Sequence, residues 1–281
     1  MVETLEKNKE LTYDELIKMP EVIEAFEIIK KLPENFTYHN LKHTNDVMRE
    51  AVSFAVANNE NDVVIKLQAI AAAWHDTGFS VDPKNHEQES VNLFKNSDTY
   101  KNLSDDDRAE IVNTILGTRI SFMTPTEILE EKIKNEKDLR KRGVFDEELS
   151  DLKLKISKEK ITEIKEPALV KTGGKYNYVL DADVSNFGRS DFSYIFDRLF
   201  EENHFKEVSK KRAENPDASI QVCDVLPAEY IKSLDFVLKL INNHSWKTES
   251  AKSKREINVR DSVMWIIATK TELEKKYKIA A

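Results

Sequence analysis

Apolar residues recur every three or four positions along most of the chain, and this spacing constrains the fold more than any other feature. Between positions 21 and 32 they form one stripe of a helical wheel, at Val22, Ala25, Phe26, Ile29 and Leu32. The segment Leu41–Asn58 repeats the pattern, and residues 61–75 are apolar on most faces, which indicates a central helix. Only six Gly and seven Pro occur in 281 residues, too few for many tightly turned strands. The sequence therefore predicts an all-α fold.

Further helices are predicted on both sides of a charged segment. Thr12 and Glu15 fit a capping box that begins a helix. Other helices are expected at 86–97, 105–117, 190–203, 227–243 and 256–277. Residues from about 125 to 172 alternate in charge and contain few large apolar side chains, with a short hairpin expected at 153–166. Because the apolar periodicity continues beyond this segment, we predict a single helical domain over 1–281 with an insertion at about 121–175.

Charge and composition argue against several classes of protein. The net charge is −8, whereas binding of a nucleic acid polymer depends on clustered Lys and Arg. A small anionic substrate is compatible with this charge, because a bound metal supplies local positive charge. No segment approaches the roughly 18 apolar residues of a membrane span, and the first residues lack the apolar region of a signal peptide. The single Cys223 cannot form an intramolecular disulfide. We therefore expect a cytoplasmic protein with no membrane partner.

Four polar segments interrupt the apolar pattern and contain four of the six histidines. They are residues 38–43, 74–76, 85–90 and 181–183. Imidazole and carboxylate ligands suit Zn, Fe, Mn or Mg, and the lack of a Cys cluster removes the common structural zinc designs. The polar segments therefore indicate a divalent-metal site formed by His and acidic residues.

Each segment also has a purely structural interpretation. His75 and Asp76 follow an apolar helix, where buried polar groups need a partner such as a metal. Alternatively, Asp76 meets solvent at the helix end and His75 bonds a carbonyl. His39 and His43 are four residues apart and would share one face of a continuous helix. A loop is predicted at 33–40, however, so that of the two only His43 is expected on the helix. A pair at this spacing also arises by chance on protein surfaces.

Taken in order, the segments resemble a known family. A His, a His-Asp dyad at the end of the next helix and a distant Asp resemble the HD superfamily of metal-dependent phosphohydrolases. The motif YHNxxHxxDV at 38–47 and the motif ADVSN at 182–186 are similar to signatures of class I cyclic-nucleotide phosphodiesterases. The segments at 86–90, 115–118 and 180–183 also resemble predicted bacterial HD phosphohydrolases.

This resemblance implies a fold, a cofactor and a reaction. The fold is an HD-domain helical bundle, and the cofactor is one or two divalent ions of Zn, Mn, Fe or Mg. The implied ligands of the first ion are His43, His75, Asp76 and Asp183, with Asp76 able to bridge to a second ion. The implied reaction is attack of metal-activated water on a phosphomonoester or phosphodiester of a nucleotide. His39 acts as the general acid, so that His39 and Asp76 are the catalytic residues.

Three further residues are assigned to substrate binding or to support of the ligands: Asn40, His86 and Glu87. His86 matches a position that contacts a second metal or the phosphate in some relatives; the alternative is an exposed place beside a helix N-cap. Glu87 either bonds water at the metal or favours the first turn of its helix. Of Asp181 and Asp183, we select Asp183 because it holds the ADxSN register.

The sequence also departs from the phosphodiesterase pattern. Residues 77–80 read TGFS where the mammalian-type enzymes have a different loop, and Gln221 does not align with their purine-binding glutamine. Cyclic-nucleotide specificity therefore stays open, and a guanosine-tetraphosphate hydrolase is a narrower option. Arg119, Arg189 and Lys247 are candidates to meet a second phosphate, although surface solvation is the commoner role. The alternative to an enzyme is a non-catalytic HD module that binds metal or a nucleotide as a regulator.

Overall fold

The structure is a computed structural model that describes residues 12–119, 121–123, 168–170, 174–215 and 220–279. The chain divides into two compact units: Met1–Thr118 with Thr172–Ala281, and Arg119–Lys171. The second unit begins and ends within a few residues of the predicted insertion. The prediction of a helical protein is confirmed, since helices account for most of the described residues. The hairpin expected at 153–166 lies outside the described residues.

In the larger unit, the described residues before position 119 form seven helices. Their bounds are α1 (Tyr13–Leu16), α2 (Pro20–Ile29), α3 (Leu41–Ala57), α4 (Asp62–Trp74), α5 (His86–Lys95), α6 (Asp98–Asn102) and α7 (Asp105–Gly117). A 3-10 turn, Thr77–Ser80, follows α4. The predicted capping box is present, with Thr12 accepting from the Glu15 amide and Glu15 from the Thr12 amide. The predicted helices in this part are confirmed to within a few residues of their ends.

Five more helices follow in the described residues of the larger unit. They are α8 (Tyr178–Asp183), α9 (Phe192–Asn203), α10 (Phe205–Glu214), α11 (Pro227–Asn243) and α12 (Glu249–Tyr277), with 3-10 turns at Ser185–Gly188 and Val222–Asp224. Helix α10 was not predicted, because it contains few apolar residues and only Val208 is buried. Helix α12 begins before the predicted position 256, since Thr248 Oγ1 accepts from the Ala251 amide and caps it there.

The described part of the smaller unit is a pair of short strands. Strands β1 (Ser121–Met123) and β2 (Ala168–Val170) run antiparallel, with Phe122 opposite Leu169. These strands lie within the insertion, where the sequence analysis expected a short hairpin at 153–166, and the described residues of the larger unit form helices joined by turns and loops.

Helix α4 lies at the centre of the larger unit, as its apolar composition predicts. It packs against α2, α3 and α7, and α3 in turn packs against α8. The run Ala71–Trp74 is fully buried, and Trp74 Nε1 donates to the Glu21 carbonyl at 3.0 Å. Small side chains let neighbouring helices approach closely, so the C-terminal end of α4 lies deep in the unit. No helix in the described ranges has the length and apolar content needed to cross a bilayer.

Candidate metal centre

Helix α3 brings His43 into the core within its first turn. The Asn40 side chain caps the helix, with Oδ1 accepting from the Lys42 amide at 2.9 Å and the His43 amide at 3.3 Å. The Asn40 amide group donates to the Phe36 and Thr37 carbonyls, at 3.2 and 2.9 Å. Asn40 therefore fixes the start of the helix that presents His43, which is 8% exposed.

The end of α4 supplies the adjacent pair His75 and Asp76. Their exposed fractions are 1% and 3%, so the solvent-exposed alternative for Asp76 is wrong. His75 Nδ1 lies 2.7 Å from the Ala72 carbonyl. Because a carbonyl only accepts, Nδ1 carries a proton and Nε2 faces away from the helix as the ligand-type nitrogen.

Asp183, the last residue of α8, completes a cluster with these side chains. Its Oδ1 lies 3.5 Å from His43 Nε2 and 3.8 Å from His75 Nε2. Asp76 Oδ2 lies 3.3 Å from His43 Nε2 and 3.1 Å from His75 Nε2. A tetrahedral ion with bonds of about 2.0–2.1 Å holds its ligands roughly 3.3–3.5 Å apart. His43, His75 and Asp183 therefore form a buried group that could hold a metal ion.

The polar atoms that face one another here support this fit. His43 Nε2, His75 Nε2 and Asp76 Oδ2 are buried atoms without a hydrogen-bond partner. A buried polar group without a partner costs about 1–3 kcal/mol, and more when it is charged. Three such atoms at one point are explained together by a cation among them.

The electrostatics of the cluster also favour a positive charge at this point. Burial disfavours the charged form of His43, but the carboxylates of Asp183 and Asp76 outweigh burial and raise its pKa to about 9. Burial likewise opposes charging of His75, whose pKa is raised by Asp76 and Asp183. Burial would raise the pKa of Asp76, yet His75 and His43 hold it well below its usual range. The cluster therefore stabilises a proton or a metal ion.

Asp181 has a different place from Asp183, although both belong to α8. Its fully buried carboxylate accepts from the Lys247 and Thr248 amides, both at 2.8 Å, and from Thr248 Oγ1 at 2.7 Å. These contacts hold the segment that leads into α12. The structure thus places Asp183, the residue selected from the sequence motif, in the cluster. Asp181 instead holds the chain before α12.

His39 lies outside α3, in the loop before its N-cap, and pairs with a residue that the sequence analysis missed. Its Nδ1 is 2.5 Å from Glu202 Oε1, and Glu202 Oε2 accepts from the Tyr38 and His39 amides at 2.8 and 2.9 Å. The ring centroid of His39 is 5.6 Å from that of His43. No local motif marks Glu202, because its partners are far away in the chain.

His86 and Glu87 begin α5 on the other side of Asp76. His86 Nε2 is 3.8 Å from Asp76 Oδ1 and 3.4 Å from Glu87 Oε1, while its Nδ1 is 3.2 Å from the Pro83 carbonyl. Asp76 therefore has one oxygen toward His43 and His75 and the other toward His86. Both predicted supporting residues lie beside the cluster, with 22% of the His86 side chain exposed.

A small open cleft, with about 50 Å³ of space for water-sized molecules, adjoins the cluster, and both His43 and Asp183 line it. Of the candidates for a second phosphate, Arg189 lines the cleft. Its guanidinium donates to both Asp191 oxygens at 2.8 Å and lies 3.4 Å from Asp46 Oδ2. Lys247 contributes its backbone amide to Asp181. Arg119 belongs to the other unit.

Comparisons with known proteins give no match: no family model fits the chain, and neither the curated proteins nor the solved structures include a significant relative.

Proposed function

We propose that this chain is a metal-dependent phosphohydrolase of the HD superfamily that hydrolyses a phosphomonoester or phosphodiester of a nucleotide. The observation that carries the proposal is the convergence of His43 Nε2, His75 Nε2 and Asp76 Oδ2 as buried atoms without hydrogen-bond partners. These residues and Asp183 are the ones that the resemblance to the family names as ligands.

The residues have distinct roles in this proposal. His43, His75, Asp76 and Asp183 would hold a divalent ion of Zn, Mn, Fe or Mg. When bound, the ion supplies the charge that activates water and stabilises the phosphoryl oxygens. Asp76, His86 and Glu87 would hold a second ion. Asn40 supports the site by capping α3.

His39 is the proposed general acid. Glu202 accepts the Nδ1 proton of its ring, which leaves Nε2 as the atom that transfers a proton to the leaving oxygen. Such proton transfer accounts for about 10²–10⁴ in rate. A module that only binds metal or a nucleotide needs no oriented acid, so the pair of His39 and Glu202 favours an enzyme over a regulator.

The partners and location belong to the same proposal. The substrate is a small phosphorylated compound, and the negative net charge disfavours a nucleic acid polymer. A cytoplasmic location is consistent with the single Cys223.

The test is a hydrolysis screen of protein loaded separately with Zn²⁺, Mn²⁺, Fe²⁺ or Mg²⁺. The substrates are nucleoside monophosphates, cyclic nucleotides, dinucleotides and guanosine tetraphosphate, and Asp76→Asn is the negative control. We expect turnover of at least one substrate that is lost in the control. Metal uptake without turnover of any substrate would contradict the enzyme and leave the regulatory module.

A further inference from the structure

We propose that Phe79 is a positioning residue that holds the imidazoles of His39 and His86 in fixed orientations beside Asp76. This inference rests on the proposed hydrolase, because it assigns Phe79 a role in presenting the general acid. It explains a residue in the TGFS segment, where the chain departs from the phosphodiesterase pattern.

Both imidazoles stack on the ring of Phe79. The centroids of His39 and Phe79 are 4.1 Å apart with an interplanar angle of 20°, and those of His86 and Phe79 are 4.0 Å apart at 25°. The two imidazole centroids are 6.2 Å apart. Phe79 is 8% exposed, so these stacks are largely protected from water. One buried ring thus contacts the proposed acid and the imidazole that faces Asp76 Oδ1.

The backbone around Gly78 places this ring against α5. Gly78 N donates to Ser90 Oγ at 2.8 Å, and Ser90 Oγ donates to the His75 carbonyl at 2.7 Å. A Cβ on Gly78 would lie 1.9 Å from the His86 carbonyl oxygen, so only glycine permits this approach. Phe79, the next residue, is therefore held beside the first turn of α5, where His86 lies.

Hydrogen bonds alone leave the planes of these imidazoles poorly defined. The His39 ring bonds Glu202 through Nδ1, and the His86 ring bonds the Pro83 carbonyl through Nδ1. One bond to a ring nitrogen restrains one atom but permits tilting of the ring. Stacking on a third, rigid ring restrains the plane, because aromatic rings at these separations attract one another. Phe79 therefore sets the direction in which each Nε2 points.

The consequence concerns rate more than binding of metal or substrate. Phe79 has no atom that can bind a metal. Its ring contacts are with His39, His86 and Phe36, and none of these is one of the four proposed ligands of the first ion. Misplacing a catalytic group by about 1 Å lowers turnover roughly 10²-fold. Loss of the ring at position 79 should therefore lower kcat while KM and the content of the first ion remain unchanged.

The experiment compares Phe79→Leu and Phe79→Tyr with the wild type, all loaded with Mg²⁺ or Zn²⁺. Steady-state kinetics use the best nucleotide from the hydrolysis screen. Proton NMR of the imidazole C–H groups, assigned with His39→Asn and His86→Asn, reports the ring current of the aromatic ring. Phe36→Leu is the matched control, since Phe36 contacts the Phe79 ring edge-on at 5.7 Å.

We expect Phe79→Leu to move the His39 and His86 resonances downfield and to lower kcat about 10- to 100-fold. Phe79→Tyr should retain both the wild-type shifts and most of kcat, and Phe36→Leu should leave the shifts in place. If Phe79→Leu does not fold, Phe79→Met serves as the variant without an aromatic ring. The inference is overturned if loss of the ring leaves kcat unchanged, lowers the content of the first ion in parallel with kcat, or leaves the shifts unaltered.

This design separates the two proposals. If the wild type hydrolyses no substrate, the proposed function fails, and the NMR shifts still report whether Phe79 orients the two imidazoles. If the wild type is active and Phe79→Leu matches it, the function stands and the role of Phe79 is wrong.

Discussion

The carboxylate of Glu202 accepts a hydrogen bond from Nδ1 of His39 at 2.5 Å, although 163 positions separate the two residues in the chain. Its second oxygen accepts the Tyr38 and His39 amides. A single carboxylate on α9 therefore fixes both the ring of the proposed acid and the loop that carries it.

Replacing Glu202 by Gln should lower kcat at least about tenfold, because the amide cannot hold the His39 ring and both backbone amides in the same way. Metal content should be unchanged, since Glu202 does not contact the ligand cluster. Kinetics and metal analysis of the variant check this. Glu207→Gln, at an exposed position on the next helix, is the control and should match the wild type.

The stabilisation supplied by Glu202 should depend on pH. Burial would raise its pKa, but bonds from the His39 ring and from the Tyr38 and His39 amides lower it below the usual value of 4.5. A lowered acid pKa stabilises the folded state above the unfolded pKa, and this contribution is lost as pH falls through the folded pKa. In urea titrations, the difference in unfolding free energy between wild type and Glu202→Gln should be largest above pH 4.5 and shrink on acidification. A difference independent of pH would contradict this.

Asp76→Asn should remove the bound metal. The substitution keeps the volume of the side chain. It removes the negative charge that lies beside His43 Nε2 and His75 Nε2 and would attract a cation there. Elemental analysis after metal loading should show loss of most of the ion. Asp105→Asn is the control, since it makes the same chemical change at a side chain that is 96% exposed. This variant should retain the metal. Full occupancy in Asp76→Asn would show that the ligand assignment is wrong.

Asp181→Asn and Asp183→Asn should have opposite phenotypes. Asp181→Asn weakens the bonds to Lys247 and Thr248 and should lower the free energy of unfolding by about 1–3 kcal/mol while metal content is retained. Asp183→Asn should lose metal affinity with a smaller effect on stability of the metal-free protein. Thermal melts and metal titrations of both variants give the comparison, and equal metal loss in both would contradict the assignment.

Gly78→Ala should destabilise the larger unit by at least about 3 kcal/mol, because the added Cβ meets the backbone of α5 and not a flexible side chain. Urea denaturation measures this loss. Ser80→Ala lies in the same turn but at an exposed position, and it should cost about 1 kcal/mol or less. Equal stability of the two variants would contradict the close packing of the turn.

Local sequence is sufficient to predict most of the amphipathic helices, although it did not predict α10 or the start of α12. The starts of α1, α3 and α4 depend on Thr12, Asn40 and Asn61, whose side chains accept from amides two or three residues ahead. The buried stripe of α2 and the burial of α4 follow from residue spacing. These features are local, because both partners of each contact lie within one or two turns.

Which polar residues meet depends on how the helices pack against one another. Packing of α3 against α4 and α8 brings His43 to His75 and Asp183, and it separates Asp183 from Asp181 although both lie on one short helix. The contacts of Glu202 with His39, and of Phe79 with His39 and His86, also join separate elements. Periodicity shows which face of a helix is buried, but the partner of that face depends on side chains far away in the chain.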